Sequence, residues 1–101
     1  MSIHTVIATF NFKEESGKNT FLDILKGEDG LVKTRKSEGC VSIDLCESLT
    51  SSKRLVIFQK WKKQSNHEAY LQMRKETGLF DLLSTLLSEP LDVQRFDLLD
   101  I

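Results

Sequence analysis

The segment Arg54-Leu-Val-Ile-Phe-Gln-Lys-Trp61 most constrains what this chain can fold into. Strand alternation places Leu55, Ile57, Gln59 and Trp61 on one face and Val56, Phe58 and Lys60 on the other, so both faces are apolar for most of the length. A strand of that kind needs a cover on each side. Helices within the same chain can supply one cover, and the simplest source of the second is another copy of the same sheet.

A length of 101 residues fits one domain spanning the whole chain. A domain of that size hides roughly 60 to 70% of the surface that its unfolded chain exposes, enough to fold without covalent staples. Hydrophobic content of 40% and charged content of 29% are those of a globular chain, and Pro 1 and Gly 5 give no sign of disorder. With 14 basic and 15 acidic residues there is no global field to recruit nucleic acid or an anionic membrane. Lys60, Lys62 and Lys63 are too few for a binding tract and read as a solvated loop. The apolar runs fall well short of the ~18 residues of a membrane span. Met1-Ser-Ile-His lacks the basic and apolar regions of a signal peptide, so the expected location is the cytoplasm. Cys40 and Cys46 fall on one predicted strand, roughly 20 Å apart at ~3.3 Å per residue, too far for a disulfide. They are expected to be buried free thiols.

Taken in order, Ile3 to Phe12 reads as a strand with Val6, Ala8, Phe10 and Phe12 on one face. Ile3, Thr5, Ile7, Thr9 and Asn11 form the other, with the texture of a pocket wall or of a Thr-rich edge strand. After a turn at Lys13 to Gly17, Ser16 is placed to cap a helix from about Lys18 to Lys26, which Gly27 and Gly30 should end. A short helical piece follows from Leu31 to Lys36. Glu38-Gly39 turns the chain into a second strand, Cys40 to Ser48, with Val41, Ile43 and Leu45 as its apolar face. Thr50 to Lys53 then makes a hairpin into the segment described above. Ser65-Asn-His-Glu68 has the spacing of a capping box, and Gly78 marks the far end of the helix it opens. Ala69, Tyr70 and Met73 are its expected inward stripe. A further short helix runs from Leu79 to Leu87, and Asp92 to Leu99 reads as a last strand with Val93, Phe96 and Leu98 available for burial.

The fold class is therefore α+β: a ferredoxin-like β-α-β-β-α-β order forming a four-stranded antiparallel sheet, with an extra short helix before the last strand. Helices on one side leave the other face of the sheet bare, which predicts a homodimer.

That order, together with Glu38-Gly39-Cys40, the Trp61 that closes the third strand, Glu68-Ala-Tyr-Leu-Gln-Met-Arg-Lys-Glu-Thr-Gly78-Leu-Phe80 and Leu87-Ser-Glu-Pro90, resembles the antibiotic biosynthesis monooxygenase family over nearly the whole chain. The resemblance implies a dimeric α+β barrel of two sheets packed face to face. It also implies a pocket between sheet and helices that takes a flat hydrophobic molecule. Some members of the family oxidise aromatic compounds with molecular oxygen and no metal or flavin, the deprotonated substrate furnishing the electrons. Related barrels degrade haem or process quinols, so the fold does not fix the reaction. Many members carry a histidine on the second long helix, where this chain has Tyr70 or, with a longer preceding loop, Met73. An Asn found in some oxygenating members four residues before the Trp is Ile57 here, and the usual acidic residue before the Trp is replaced by Lys60, preceded by Gln59.

The resemblance thus implies a cofactor-independent monooxygenase for a small aromatic or quinol-like substrate. The alternative is a non-catalytic barrel that holds a small molecule or haem. Candidate substrate contacts are Trp61, Asn11, Arg74, Met73 and Phe80, and candidate catalytic residues are Tyr70 and His67. Trp61 reads either as a pocket wall or as a core aromatic, and Tyr70 as a phenolic acid or as a surface tyrosine. Arg74 would hold an anionic substrate or pair with Glu76 or Asp81 at the surface. His4 and His67 have the side-chain pKa suited to proton transfer near neutrality, and His67 would lie in the first turn of a helix, whose positive end opposes protonation. Asn11, Asp44 and Arg35 are the remaining polar candidates. No Cys or carboxylate stands at ligand spacing from either histidine, so no metal site is expected, and the resemblance implies that no cofactor is needed. The expected partners are a second copy of the chain and a small hydrophobic or aromatic molecule, with no nucleic acid and no membrane.

Overall fold

The computed structural model describes residues 3 to 101, so the expectation about a leader at Met1 and Ser2 lies outside the described residues. The elements run β1 (Ile3–Asn11), α1 (Glu15–Lys26), α2 (Leu31–Arg35), β2 (Cys40–Glu47), β3 (Arg54–Trp61), α3 (Gln64–Glu76), α4 (Leu79–Leu86) and β4 (Asp92–Leu98). The four strands form one antiparallel sheet in the order β2-β3-β1-β4, a ferredoxin-like α+β fold.

β1 and β3 are central because their sequences alternate most strictly. Val6 stands opposite Gln59, Ala8 opposite Ile57 and Phe10 opposite Leu55, all on the side covered by helices. Phe21 and Leu25 of α1 and Leu83 of α4 close over this row. The rings of Phe10 and Phe21 lie 5.0 Å apart and those of Phe12 and Phe21 5.8 Å apart, an aromatic cluster that sets α1 against the sheet. The end of α4 is tied to the end of β1 by a bridge between Phe12 and Leu87.

The opposite face of the sheet has no cover. Ile7, Val56 and Phe58 stand on it, joined by Phe96 and Leu98 of β4, and Phe58 and Phe96 are 42% and 45% exposed. The residues of β4 split between the two faces: Val93 pairs with Ala8 on the helix side, whereas Phe96 pairs with Thr5 on the bare side. All of β4 is exposed, so the burial expected for Phe96 and Leu98 does not occur within one chain.

Several local expectations are corrected. Ser16 does not cap α1: the helix starts at Glu15, its N-cap is Glu14, and Ser16 lies inside the first turn. Likewise α3 starts at Gln64 after Lys63, with no side-chain cap. Glu68 accepts a hydrogen bond from Gln64 Nε2 at 2.9 Å instead of closing a box with Ser65. In β2 an irregularity in register between Cys40 and Ser42 turns Val41 outward, so it is not part of the Ile43 face. Both cysteines are free, but Cys46 is exposed on the bare face and Cys40 is half-buried, so the expectation of two buried thiols fails. Burial raises the Cys40 thiol pKa, and the nearby Arg35 charge partly offsets this. Gly78 ends α3 in the left-handed conformation expected of it, at φ 85°. Among the described residues no helix is long and apolar enough to cross a membrane.

Candidate functional site

The inward stripe of α3 is polar. His67 and Arg74 are its buried residues, with Tyr70 and Leu71 half-buried between them, whereas Ala69 faces solvent. Helical spacing alone explains why these four share a side: they recur at intervals of three and four. They look onto the helix side of β1 and β3 and, with α4, enclose a cavity. Its walls are apolar, from Val6, Ala8, Ile57, Phe80 and Leu83 among others, and the polar groups it meets are Gln59, His67, Tyr70 and Arg74. The cavity is narrow, with a volume of about 50 Å³. Pockets for drug-sized ligands run to about 300–1,000 Å³, so a ring compound needs a wall to give way.

Arg74 is 4% exposed and makes no ion pair with Glu76 or Asp81. Its guanidinium donates from Nη1 to the carbonyl of Asp29 at 2.6 Å, from Nη2 to the carbonyl of Gly30 at 2.9 Å and to Thr34 Oγ1 at 3.2 Å, and from Nε to the Tyr70 hydroxyl at 2.8 Å. The Tyr70 hydroxyl is also 2.7 Å from Thr34 Oγ1. These bonds tie the start of α2 to the middle of α3. They also engage the Tyr70 hydroxyl on two sides, so its ring, more than its proton, is what the cavity meets. The guanidinium carbon lies 5.2 Å from the centre of that ring. The buried cation has no carboxylate partner among the described residues, only dipoles.

His67 is 1% exposed, and its Nδ1 has no hydrogen-bond partner among the described residues. Burial pushes its pKa down to about 4; the charges of His4 and Arg95 act in the same direction, and Glu68 opposes them. The imidazole is therefore neutral at pH 7, for want of solvent more than because of the helix end. His4, whose Nε2 also has no partner among the described residues, has its ring 5.6 Å away.

Trp61 is fully buried and stacks at a tilt against His67 and Tyr70, with ring centres 5.6 and 5.2 Å away. It lies behind the cavity wall, as the core aromatic of the two readings, and its Nε1 donates to Gln59 Oε1 at 3.0 Å. Of the remaining candidates, Phe80 lines the cavity. Met73 lines a separate surface groove with Glu38 and Asn66. Asn11 faces away, on the bare side of the sheet, where its Oδ1 accepts a hydrogen bond from Arg54 Nε at 2.8 Å. Arg35 donates to the carbonyl of Ile43 at 3.2 Å, and Asp44 is exposed beside it; neither reaches the cavity. Gln59 reaches the cavity without having been singled out. The signal for it was present: one amide in an otherwise apolar strand face, two residues before the single tryptophan.

A family model described as Antibiotic biosynthesis monooxygenase matches residues 3–75. The chain belongs to the antibiotic biosynthesis monooxygenase family. No curated protein matches it. Among solved structures it is similar to a conserved protein from Methanosarcina mazei Go1, with 20% identity, 95% of this chain and 92% of that chain covered, and a TM-score of 0.82. It is also similar to Rv0793 from Mycobacterium tuberculosis, with 24% identity, 99% and 98% covered, and a TM-score of 0.77. A dimeric ferredoxin-like protein from an uncultured marine organism matches with 18% identity, 100% and 99% covered, and a TM-score of 0.78. At these identities the likeness is one of fold. In this member of the antibiotic biosynthesis monooxygenase family the cavity carries a neutral imidazole, a buried guanidinium and an amide on apolar walls.

Proposed function

We propose that this single domain is a cofactor-independent monooxygenase that acts, as a homodimer, on a small aromatic or quinol-like substrate. The observation that carries the reading is that one helix turns both His67 and Arg74 into the same cavity: a neutral base whose Nδ1 has no partner among the described residues and, two turns further along α3, a buried cation that no carboxylate among them neutralises. His67 takes a proton from an activated C–H or O–H of the bound ring compound. Arg74 then stabilises the resulting anion, and the apolar walls, by excluding water, leave that attraction weakly screened. That anion is the electron donor to molecular oxygen. For a CH2 group between aromatic rings, one oxygen atom ends in the new C=O and the other leaves as water with the two hydrogens. All four electrons come from that carbon, so no external reductant enters. Tyr70 positions Arg74, and Phe80 forms the opposite wall.

Oxygen uptake with 1,8-dihydroxyanthrone and with menadiol tests this. Turnover that falls on the order of a hundredfold in His67→Gln is expected for loss of a general base. No uptake with either compound, and no change in Trp61→Phe, would sink it. The narrowness of the cavity favours a second reading, in which a small molecule is held and not converted. Haem, far larger than the cavity, fits that reading poorly, and a Soret titration checks it.

The homodimer is supported by the exposed Phe58 and Phe96 on the bare face of the sheet and by the dimeric ferredoxin-like relative. A cytoplasmic location belongs to the same reading, supported by the two free thiols.

A further inference from the structure

We propose that Gln59 is the residue that holds the substrate's oxygen, through a side-chain amide whose orientation Trp61 fixes. This rests on the reading above that the cavity takes a small aromatic compound. Gln59 stands two residues before the end of β3 on the helix side and is 7% exposed. Its cross-strand neighbours there are Val6 and Ile43, whose side chains offer no polar atom. Its Oε1 accepts the Trp61 indole N–H at 3.0 Å, the one side-chain hydrogen bond it makes among the described residues.

That single bond decides which half of the amide faces the ligand. An indole nitrogen only donates, so the amide can meet it only with its oxygen. The amino group is then turned away from Trp61. Gln59 lines the cavity and Trp61 does not, so away from Trp61 is toward the cavity. Nε2 has no protein partner among the described residues and is not one of the sealed-off unpartnered atoms there, so its two N–H donors stay open to a ligand although the side chain is more than nine-tenths buried. A carbonyl or phenolic oxygen on the ligand gives them a partner.

This deepens the substrate class. The cavity selects ring compounds that carry a carbonyl or phenolic oxygen over hydrocarbons of the same shape. When His67 removes the proton, negative charge grows on that oxygen and the bond from Nε2 becomes charge-assisted and stronger. Gln59 therefore acts on turnover as well as on binding, and Trp61 is a positioning residue.

The test compares α-tetralone with tetralin, which has the same ring system without the oxygen. In the wild-type protein, the side-chain NH2 signals of Gln59 in 15N–1H spectra should move with α-tetralone and stay in place with tetralin. Gln59→Glu at pH 8 keeps an acceptor for Trp61 and nearly the same volume but removes the donor. It should lower α-tetralone affinity on the order of tenfold and leave tetralin unchanged. Trp61→Phe should give a smaller loss confined to α-tetralone. Equal movement with both compounds, movement with neither, or unchanged affinity in Gln59→Glu overturns the proposal. Where Gln59→Glu fails to fold, the wild-type spectra decide. Oxygen uptake at the wild-type kcat in Gln59→Glu overturns it while leaving the oxygenase reading intact. Binding of α-tetralone through Gln59 in a protein that consumes no oxygen supports it and removes the oxygenase reading alone.

Discussion

Arg74 donates from Nε to the Tyr70 hydroxyl at 2.8 Å, from one turn further along the same helix. Through its other nitrogens it also holds the carbonyls of Asp29 and Gly30. The guanidinium is thus a strut between α3 and the loop before α2 as well as a charge in the cavity wall.

Truncation of that strut leaves buried carbonyls without donors. Arg74→Met should lower stability by roughly 2–4 kcal/mol, measured from urea unfolding at pH 7. Arg74→Lys should recover less than half of that, because a single ammonium cannot reproduce a planar fork.

Acid should weaken the fold through His67. Its folded pKa is lowered to about 4 from 6.5, so between those values the unfolded chain binds a proton that the folded chain refuses. The stability is complete above pH 6.5 and is lost as the pH falls toward 4, by roughly 3 kcal/mol in all. His67→Gln should flatten this part of the curve. Trp61, the single tryptophan, touches the imidazole and reports its protonation as a loss of fluorescence centred near pH 4.

Two glycines with positive φ should respond unequally to alanine. At Gly78, φ 85°, a Cβ meets nothing, and the change should cost about 1 kcal/mol of backbone strain. At Gly39, φ 82°, a Cβ would run into the Asn66 side chain at the start of α3. Gly39→Ala should therefore cost about 2 kcal/mol or more, part of it regained in the double variant with Asn66→Ala.

The bare face of the sheet makes a prediction about mass. In sedimentation equilibrium the unaltered chain should give twice the 11.6 kDa mass of one copy, and Phe58→Asp should give that single mass. Cys46 stands on the same face, opposite Val56, so its reaction with a thiol reagent should quicken as the protein is diluted. A rate independent of concentration would place the contact elsewhere.

The sheet was legible because β1 and β3 state their faces in the alphabet of apolar residues, and the register of Val6 with Gln59 and Phe10 with Leu55 follows that pattern. α3 was harder to read. Its buried stripe contains His67 and Arg74, which look solvated in a sequence, while Ala69 looks apolar and faces water. The groups that make Arg74 tolerable inside are Asp29, Gly30 and Thr34, some 40 positions away, and no local spacing shows them. For the same reason the site was half legible: His67, Tyr70, Arg74 and Phe80 come together, whereas Asn11 and Met73 fall on other surfaces. The cavity's amide, Gln59, was placed on its face but given no part in the site, because strand alternation assigns a face and not a role.

The irregularity between Cys40 and Ser42 in β2 has an effect on how the protein behaves in a crowded solution. β2 is an outermost strand, whose free side would otherwise offer a ladder of amides and carbonyls to any passing chain. The break in register interrupts that ladder, and Arg35 occupies the Ile43 carbonyl a little further along. Strand-to-strand growth into fibrils is thereby obstructed at this margin.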